Sequence, residues 1–274
     1  MLAVRWYLRF GLSYRDVEEL LAERGIEVDH VSVYRWVQRF TPLLADAARP
    51  CRHAVGDRRF VDETYVKVGG RWRYVYRAVD QFGQVIDVYL SPRRDTDAAR
   101  RFFDRAIETT KVRPVEVVTD QAAAYPRVLD ERIPTAWHRT DRYADNRVEA
   151  DHGQLKRRLR PMRGLKTDAG ARVVTAGHAF VQNLRRGHYE LAIDAPVQRR
   201  VATAFTDLAP AICPGWTPQV ESACGGSRQC NRALGQHPPG GEQAARPPVT
   251  DRTAHRIRRS AVLGGIINEY HYAA

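Results

Sequence analysis

Between residues 59 and 90 the hydrophobic pattern takes up the period of β-strands, and this constrains the fold more than any other feature of the chain. RFVDETYVK at 59–67, WRYVYRAVD after Gly69 and Gly70, and QVIDVYL at 84–90 read as three strands joined by short turns, hence as antiparallel neighbours. DTDAARRFFDRAIETT, starting at Asp95, reads as a helix whose Ala98, Phe102, Ala106 and Ile107 cover a sheet. VEVVTD at 115–120 is a fourth strand and a short helix begins around Ala122. TAWH at 135–138 is a shorter fifth strand, and DNRVEADHGQLKRRLR is a helix starting near Asp145. This order predicts an α/β domain built on a mixed sheet.

The residues before it keep a helical period. Residues 2–10 form a short apolar helix, and Ser13 with Asp16 has capping-box spacing ahead of Val17, Leu20 and Leu21. After Gly25 a further helix starts near Asp29, with Val33, Trp36, Val37 and Phe40 turned inward and Ser32, Arg35 and Arg39 displayed outward. A helix, a Gly turn and a second amphipathic helix is the arrangement that places a recognition helix in a DNA groove, although any three-helix module buries the same residues. The expected organisation is an all-helical helix-turn-helix domain over 1–45, a linker over 46–57, the α/β domain over 58–190, a helical segment over 191–212, and an atypical flexible tail over 213–274.

Composition narrows the partners. The 44 Lys and Arg exceed the 32 Asp and Glu, for a formal charge of +12, which favours a polyanion. Four cysteines without a close CxxC pair argue against a disulfide scaffold and for a reducing cytosol. No run approaches 18 apolar residues, so no membrane span is expected. In the tail, Cys213, Cys224, Cys230 and His237 lack zinc-site spacing.

Three acids occupy informative places: Asp62 within the first strand of the sheet, Asp120 at the carboxyl end of the fourth, and Glu149 in the first turn or so of the later helix. Meeting at a sheet edge, three carboxylates can hold two Mg²⁺ ions, one against the attacking and one against the leaving oxygen of a phosphoryl transfer. The same acids also suit plain roles as a strand charge, a helix cap and a helix-start acid. Spacing alone does not separate them from Glu63, Asp80, Asp87 or Asp151.

The blocks FVDETYVKVGGRWRYVYRAVD, VVTDQAAAYP and NRVEADHGQLKRRLRPMRGLKT, in this order, closely resemble the transposases of the sixth bacterial insertion-sequence family. The upstream LSYRDVEELLAERGIEVDHVSVYRWVQRF resembles that family's helix-turn-helix, and the likeness spans about residues 2–212. The resemblance implies a ribonuclease-H-like core with a catalytic, metal-binding triad at Asp62, Asp120 and Glu149. It implies Mg²⁺ as cofactor, two ions with Mn²⁺ as a substitute. It also implies double-stranded DNA as partner, namely the element's terminal inverted repeats and target DNA. The expected reaction is end cleavage followed by strand transfer of the 3′ hydroxyl, through cointegrate formation, by a homodimer or higher oligomer in a nucleoid-associated, cytoplasmic setting. A catalytically defective relic and a derived DNA-binding regulator are the alternatives. Family members generally carry further residues before the helical module, and their second acidic interval is longer than the 28 residues between Asp120 and Glu149.

In that setting the cations Lys156, Arg157, Arg158, Arg160 and Arg163 read as a phosphate-binding patch, five cations with no acid among residues 156–163. Asn146 and Arg147 are candidates for positioning the helix or the scissile DNA, and His152 for orienting DNA or water. Tyr65, Trp72, Tyr74 and Tyr76 are expected to pack within the sheet, and Trp137 is the better aromatic candidate for a DNA contact.

Overall fold

In the computed structural model, residues 1–140, 146–162, 164–212, 257–262 and 267–272 are described. The chain divides into two units, Met1–Gly235 and Gln236–Ala274. The first opens with helices α1 (Leu2–Arg9), α2 (Tyr14–Ala22) and α3 (His30–Ala48). It continues with β1 (Arg58–Val68), β2 (Arg71–Asp80), β3 (Val85–Ser91), α4 (Thr96–Thr110), β4 (Glu116–Val118), α5 (Ala124–Arg132), β5 (Trp137–Arg139) and α6 (Asn146–Leu159). Helices α7 (Asp168–Arg186) and α8 (Val197–Ile212) close it. In the second unit β6 (Ile257–Val262) pairs antiparallel with β7 (Ile267–Tyr272).

Local signals fall where the chain was expected to start its elements. Ser13 and Asp16 cap α2 reciprocally, the Ser13 N–H donating to Asp16 Oδ2 at 2.7 Å and the Asp16 N–H to Ser13 Oγ at 3.2 Å. Asp29 and Asp95 accept from the Ser32 and Ala98 N–H groups, both at 2.8 Å, and so begin α3 and α4. The two-residue turn between Val68 and Arg71 requires positive φ at both positions, and Gly69 (φ 54°) and Gly70 (φ 80°) supply it. β3 is an edge strand, and the Asn183 side chain of α7 occupies its free Val85 backbone groups with two 2.8 Å hydrogen bonds.

The sheet is mixed, in the order β3-β2-β1-β4-β5, with β1–β2 and β2–β3 antiparallel and β1–β4 and β4–β5 parallel. Strand alternation sends the side chains of β1 to two layers. Val61 joins Tyr76, Phe102, Phe103 and Tyr125 beneath α4 and α5, whereas Val66 and Val68 join Leu155 and Ala171 beneath α6 and α7.

The amino-terminal helices do not build a core of their own. Val4, Leu8, Val17, Val33 and Val37 are buried together with Val174, Phe180, Leu184 and Phe205 of α7 and α8. α3 also runs through Pro42 to Ala48, beyond the expected start of a linker at 46. Val33, Val37 and Phe40 face inward or sit half-buried, but Trp36 is exposed, a correction to the expected inward set. The helix period puts Trp36 off the stripe that α7 and α8 cover.

Where α1 and α3 cross α7, Gly177 allows the approach: a β-carbon there would lie 2.7 Å from Leu8 Cδ2 and 2.7 Å from Thr41 Cγ2. Both neighbours are buried and have little room to yield. Gly177→Ala is therefore expected to destabilise the protein by about 1–3 kcal/mol in chemical denaturation, an overpacking cost that outweighs the gain in helix propensity.

Candidate functional site

β1 and β4 run parallel with Arg58 opposite Glu116 and Phe60 opposite Val118. Each pair is 58 residues apart in sequence, and so are Asp62 and Asp120. The same register therefore carries both acids to the carboxyl end of β4, where the strand stops at Val118 and the chain turns toward α5. β1 is the middle strand of the five, so the two acids meet at a strand end inside the sheet and not at the expected sheet edge.

Asp62, Glu63 and Asp120 each present an oxygen within 4.8 Å of the others, a group able to hold a metal ion. Successive strand residues point to opposite faces, so Asp62 turns toward α6 and Glu63 toward α5. The Tyr125 hydroxyl of α5 donates to Glu63 Oε2. Arg94, just ahead of α4, pairs with Glu63 Oε1 and, at 3.2 Å, with Asp120 Oδ2. Burial pushes the Glu63 carboxyl up from its ordinary value, Asp120 and Asp62 add to this, and Tyr125 and Arg94 oppose it. Burial and the Glu63 carboxylate push the Tyr125 phenol well up, so it remains a proton donor. The Ala122 N–H donates to Asp120 Oδ1 at 3.1 Å, ordering the loop behind the acid.

On the other face, His152 Nδ1 lies 3.3 Å from Asp62 Oδ2 with the imidazole 5% exposed. His152 is thus buried against Asp62. Glu149, one helical turn earlier on α6, is exposed and does not belong to the cluster of three carboxylates. α6 itself is held by charges buried beneath it. Asp151 pairs with Arg77 of β2, which is 0% exposed, and at 2.5 Å with Arg186 of α7.

The other acids that spacing left open have structural partners. Asp80 is buried and accepts from the Gly56, Phe82 and Gln84 N–H groups at 2.8–3.0 Å, closing the β2–β3 turn. Asp87 pairs with Arg105 at 3.2 Å, and Asp151 belongs to the buried network. Of the expected basic patch, Lys156, Arg157 and Arg160 are exposed. Arg158 is corrected: it is 6% exposed, donates to the Tyr7 carbonyl and stacks over the Tyr7 ring at 4.6 Å, which ties α6 to α1. The helix period turns it opposite to its neighbours. Arg163 and the side chains of Asn146 and Arg147 lie outside the described residues, as do Cys213, Cys224, Cys230 and His237.

Ser32 is half-buried, and Arg35 and Arg39 are exposed on α3. Trp137 is exposed. Tyr74 and Tyr76 lie in or against the core under α4, but Tyr65 and Trp72 are each 56% exposed, contrary to expectation. Arg94 and Tyr125 escaped sequence reasoning altogether. The only signal was their position in the loops and first turns next to the acids. Among the described residues, no helix is long and apolar enough to cross a membrane.

A family described as a DDE domain matches residues 56–188. The transposase for insertion sequence-like element IS431mec of Staphylococcus aureus (strain Mu50) is 38% identical over 170 residues, covering 60% of this chain and 75% of that protein. The transposase for insertion sequence element IS257 in transposon Tn4003 of Staphylococcus aureus is 37% identical over the same length and shares. The HTLV-2 integrase catalytic core domain in complex with magnesium, in its dimeric form, superposes with a TM-score of 0.38 at 16% identity, covering 55% of this chain and 98% of that one. That superposition is too loose to decide fold or chemistry. The identity to the two staphylococcal transposases, over three quarters of their length, establishes the relationship: the chain belongs to the DDE transposases of the sixth bacterial insertion-sequence family.

Proposed function

We propose that the chain carries out metal-dependent end cleavage and strand transfer of its insertion element through Asp62, Asp120 and Glu149. The observation that carries this reading is the meeting of Asp62 and Asp120 at the end of two adjacent parallel strands, in a chain of this family. A ribonuclease-H-like core is the matching fold, and the order and directions of the five strands support it. The donor set is hard carboxylate oxygen, which suits Mg²⁺ or Mn²⁺. Asp62 and Asp120 would hold the ions, with Glu149 as the third ligand. The contact of His152 with Asp62 brings the adjoining turn of α6 alongside. Bound there, two divalent ions would neutralise the attacking and leaving oxygens of an in-line phosphoryl transfer.

The chain's own groups complete the reading. Arg94 bridges Glu63 and Asp120 and holds the two carboxylates near each other. Asp151, held by Arg77 and Arg186, fixes the height and rotation of α6, and with them the position of Glu149. Lys156 and Arg157 on the same helix, with Arg160 just after it, would neutralise DNA phosphates without reading sequence. Arg35 and Arg39, with Ser32, would face the inverted repeats from α3, the second helix of a helix-turn-helix. Pairing two element ends requires at least a homodimer, and joining them to a target through a cointegrate places the protein with the bacterial nucleoid in the cytoplasm.

The test uses the full chain with a duplex carrying the element's terminal repeat and a supercoiled target plasmid. Joined product is expected with Mg²⁺ or Mn²⁺ and none after chelation with EDTA. Equal product with and without chelator would overturn the metal-dependent reading. Duplex binding without product under any metal would identify an inactive relic.

A further inference from the structure

Beyond the acidic site, the β1–β2 hairpin and α6 form an open groove of about 450 Å³. Tyr65, Lys67, Trp72, Lys156, Leu159 and Arg160 line it. Among the described residues no acidic side chain does. Tyr65 and Trp72 stand edge to face, centroids 5.2 Å apart at 88°, and each is 56% exposed. Two ammonium groups lie over these rings, Lys67 over Trp72 at 5.8 Å and Lys156 over Tyr65 at 5.1 Å. Two large exposed rings held by neighbouring cations, in a groove with no acid among its described lining residues, match a nucleic-acid strand in both respects: the rings offer faces for bases and the cations offer charge for phosphates.

The groove continues the acidic site. Tyr65 follows Asp62 by three strand residues, about 10 Å at the strand rise. Strand alternation turns Tyr65 to the face opposite Asp62, but Lys156, one helical turn after His152 on α6, reaches over the Tyr65 ring, so one helix borders both the acidic site and the groove.

We propose that this groove binds unpaired nucleotides of the DNA strand that passes through the acidic site, with a base stacked on Tyr65 or Trp72 and phosphates on Lys67, Lys156 and Arg160. A paired base hides its face in the duplex stack, so the platform selects frayed or single-stranded DNA next to the reacting phosphate. This rests on the transposase reading and extends it from double-stranded to locally unpaired substrate.

The experiment compares binding of the full chain, at one fixed salt concentration, to a blunt terminal-repeat duplex and to the same duplex with a short unpaired 3′ extension, by fluorescence anisotropy. Wild type is expected to favour the extended duplex. Tyr65→Ala and Trp72→Ala should lose about tenfold in affinity for the extended duplex and little for the blunt one, whereas Tyr65→Phe and Trp72→Phe retain the preference. Lys156→Gln should weaken both and lower the salt slope by about one. Wild type that binds neither duplex overturns the transposase reading and the groove with it. Wild type that binds both equally, or alanine variants that keep the preference, overturns the groove alone. A changed sedimentation coefficient in the alanine variants, with the preference intact, assigns the surface to contact between copies and also overturns it.

Discussion

Asp62→Asn is expected to reduce strand-transfer product by about 10³-fold while leaving the circular-dichroism spectrum and duplex binding unchanged. The magnitude follows from the several kcal/mol that a properly held metal contributes to phosphoryl transfer, with each 1.36 kcal/mol worth tenfold in rate. Asn keeps the volume and one oxygen of Asp62 but removes the charge that would hold the ion. The Glu63 N–H, 2.8 Å from Asp62 Oδ1, can still donate to the amide oxygen, and the amide NH2 that replaces Oδ2 can donate to His152 Nδ1 when that nitrogen carries no proton, so little structural loss is expected. Asp120→Asn should behave alike, and the double variant should lose no more than either alone, because the two oxygens serve one site. Glu63→Gln discriminates the roles within the cluster. Glu63 is engaged by Tyr125 and Arg94, and its replacement is expected to cost far less product than Asp62→Asn. An equal loss would make Glu63, in place of Glu149, the third ligand.

The second large effect lies in the buried charges under α6. Asp151→Ala is expected to destabilise the protein by about 3–5 kcal/mol, since it leaves the Arg77 and Arg186 guanidinium groups facing one another without a carboxylate. Arg77 already has Nε and Nη2 without a hydrogen-bond partner, so its charge relies on Asp151. Exchanging Arg77 and Asp151 together for apolar residues should cost much less than the sum of the single changes, and urea melts of the four proteins measure that coupling. The same network makes stability depend on pH. Burial raises the Asp151 carboxyl, but Arg77 and Arg186 outweigh it and hold the folded-state value below the ordinary one. That contribution is present above the unfolded carboxylate pKa and is lost as pH falls through the lower, folded value. His178 acts earlier. Burial, with Arg77 next, pushes it down to about 3, and the nearby Asp151 only partly opposes this. The unfolded chain takes up this proton below about 6.5 and the folded chain does not, so stability should decline from about pH 6.5 downward. His178→Leu should flatten that decline between pH 6 and pH 4, leaving the Asp151 loss at lower pH.

Much of the fold could be read from the residues, because the responsible signals are local. Ser13, Asp29 and Asp95 cap helices through their own neighbours, and Gly69–Gly70 makes a turn that needs two positive φ angles whatever surrounds it. Trp36, Tyr65 and Trp72 misled for the complementary reason. Aromatic character predicts that a side chain will be buried only if another element arrives to cover it, and at these positions the cover is only partial. Arg158 misled in the opposite direction. Within a run of five cations it looks like its neighbours, but α1 packs over its side of α6 and offers the Tyr7 carbonyl and ring.

By itself the sequence determined the alternation of strands and helices and the glycine turn, since caps, turns and hydrophobic period act over a few residues, whereas Asp62, Asp120 and Glu149 were set apart from the other acids by the family resemblance of their motifs. The tertiary structure alone decided which acids meet. The β1–β4 register aligns Asp62 with Asp120, strand alternation turns Glu63 to the opposite face, Asp80 is taken up by its own turn and by Gly56, and Asp87 and Asp151 are taken up by arginines from other elements. A carboxylate's role depends on the charges within a few ångströms of it, because Coulomb interactions are strong only where water is excluded, and those neighbours are brought together by the fold and not by the order of residues.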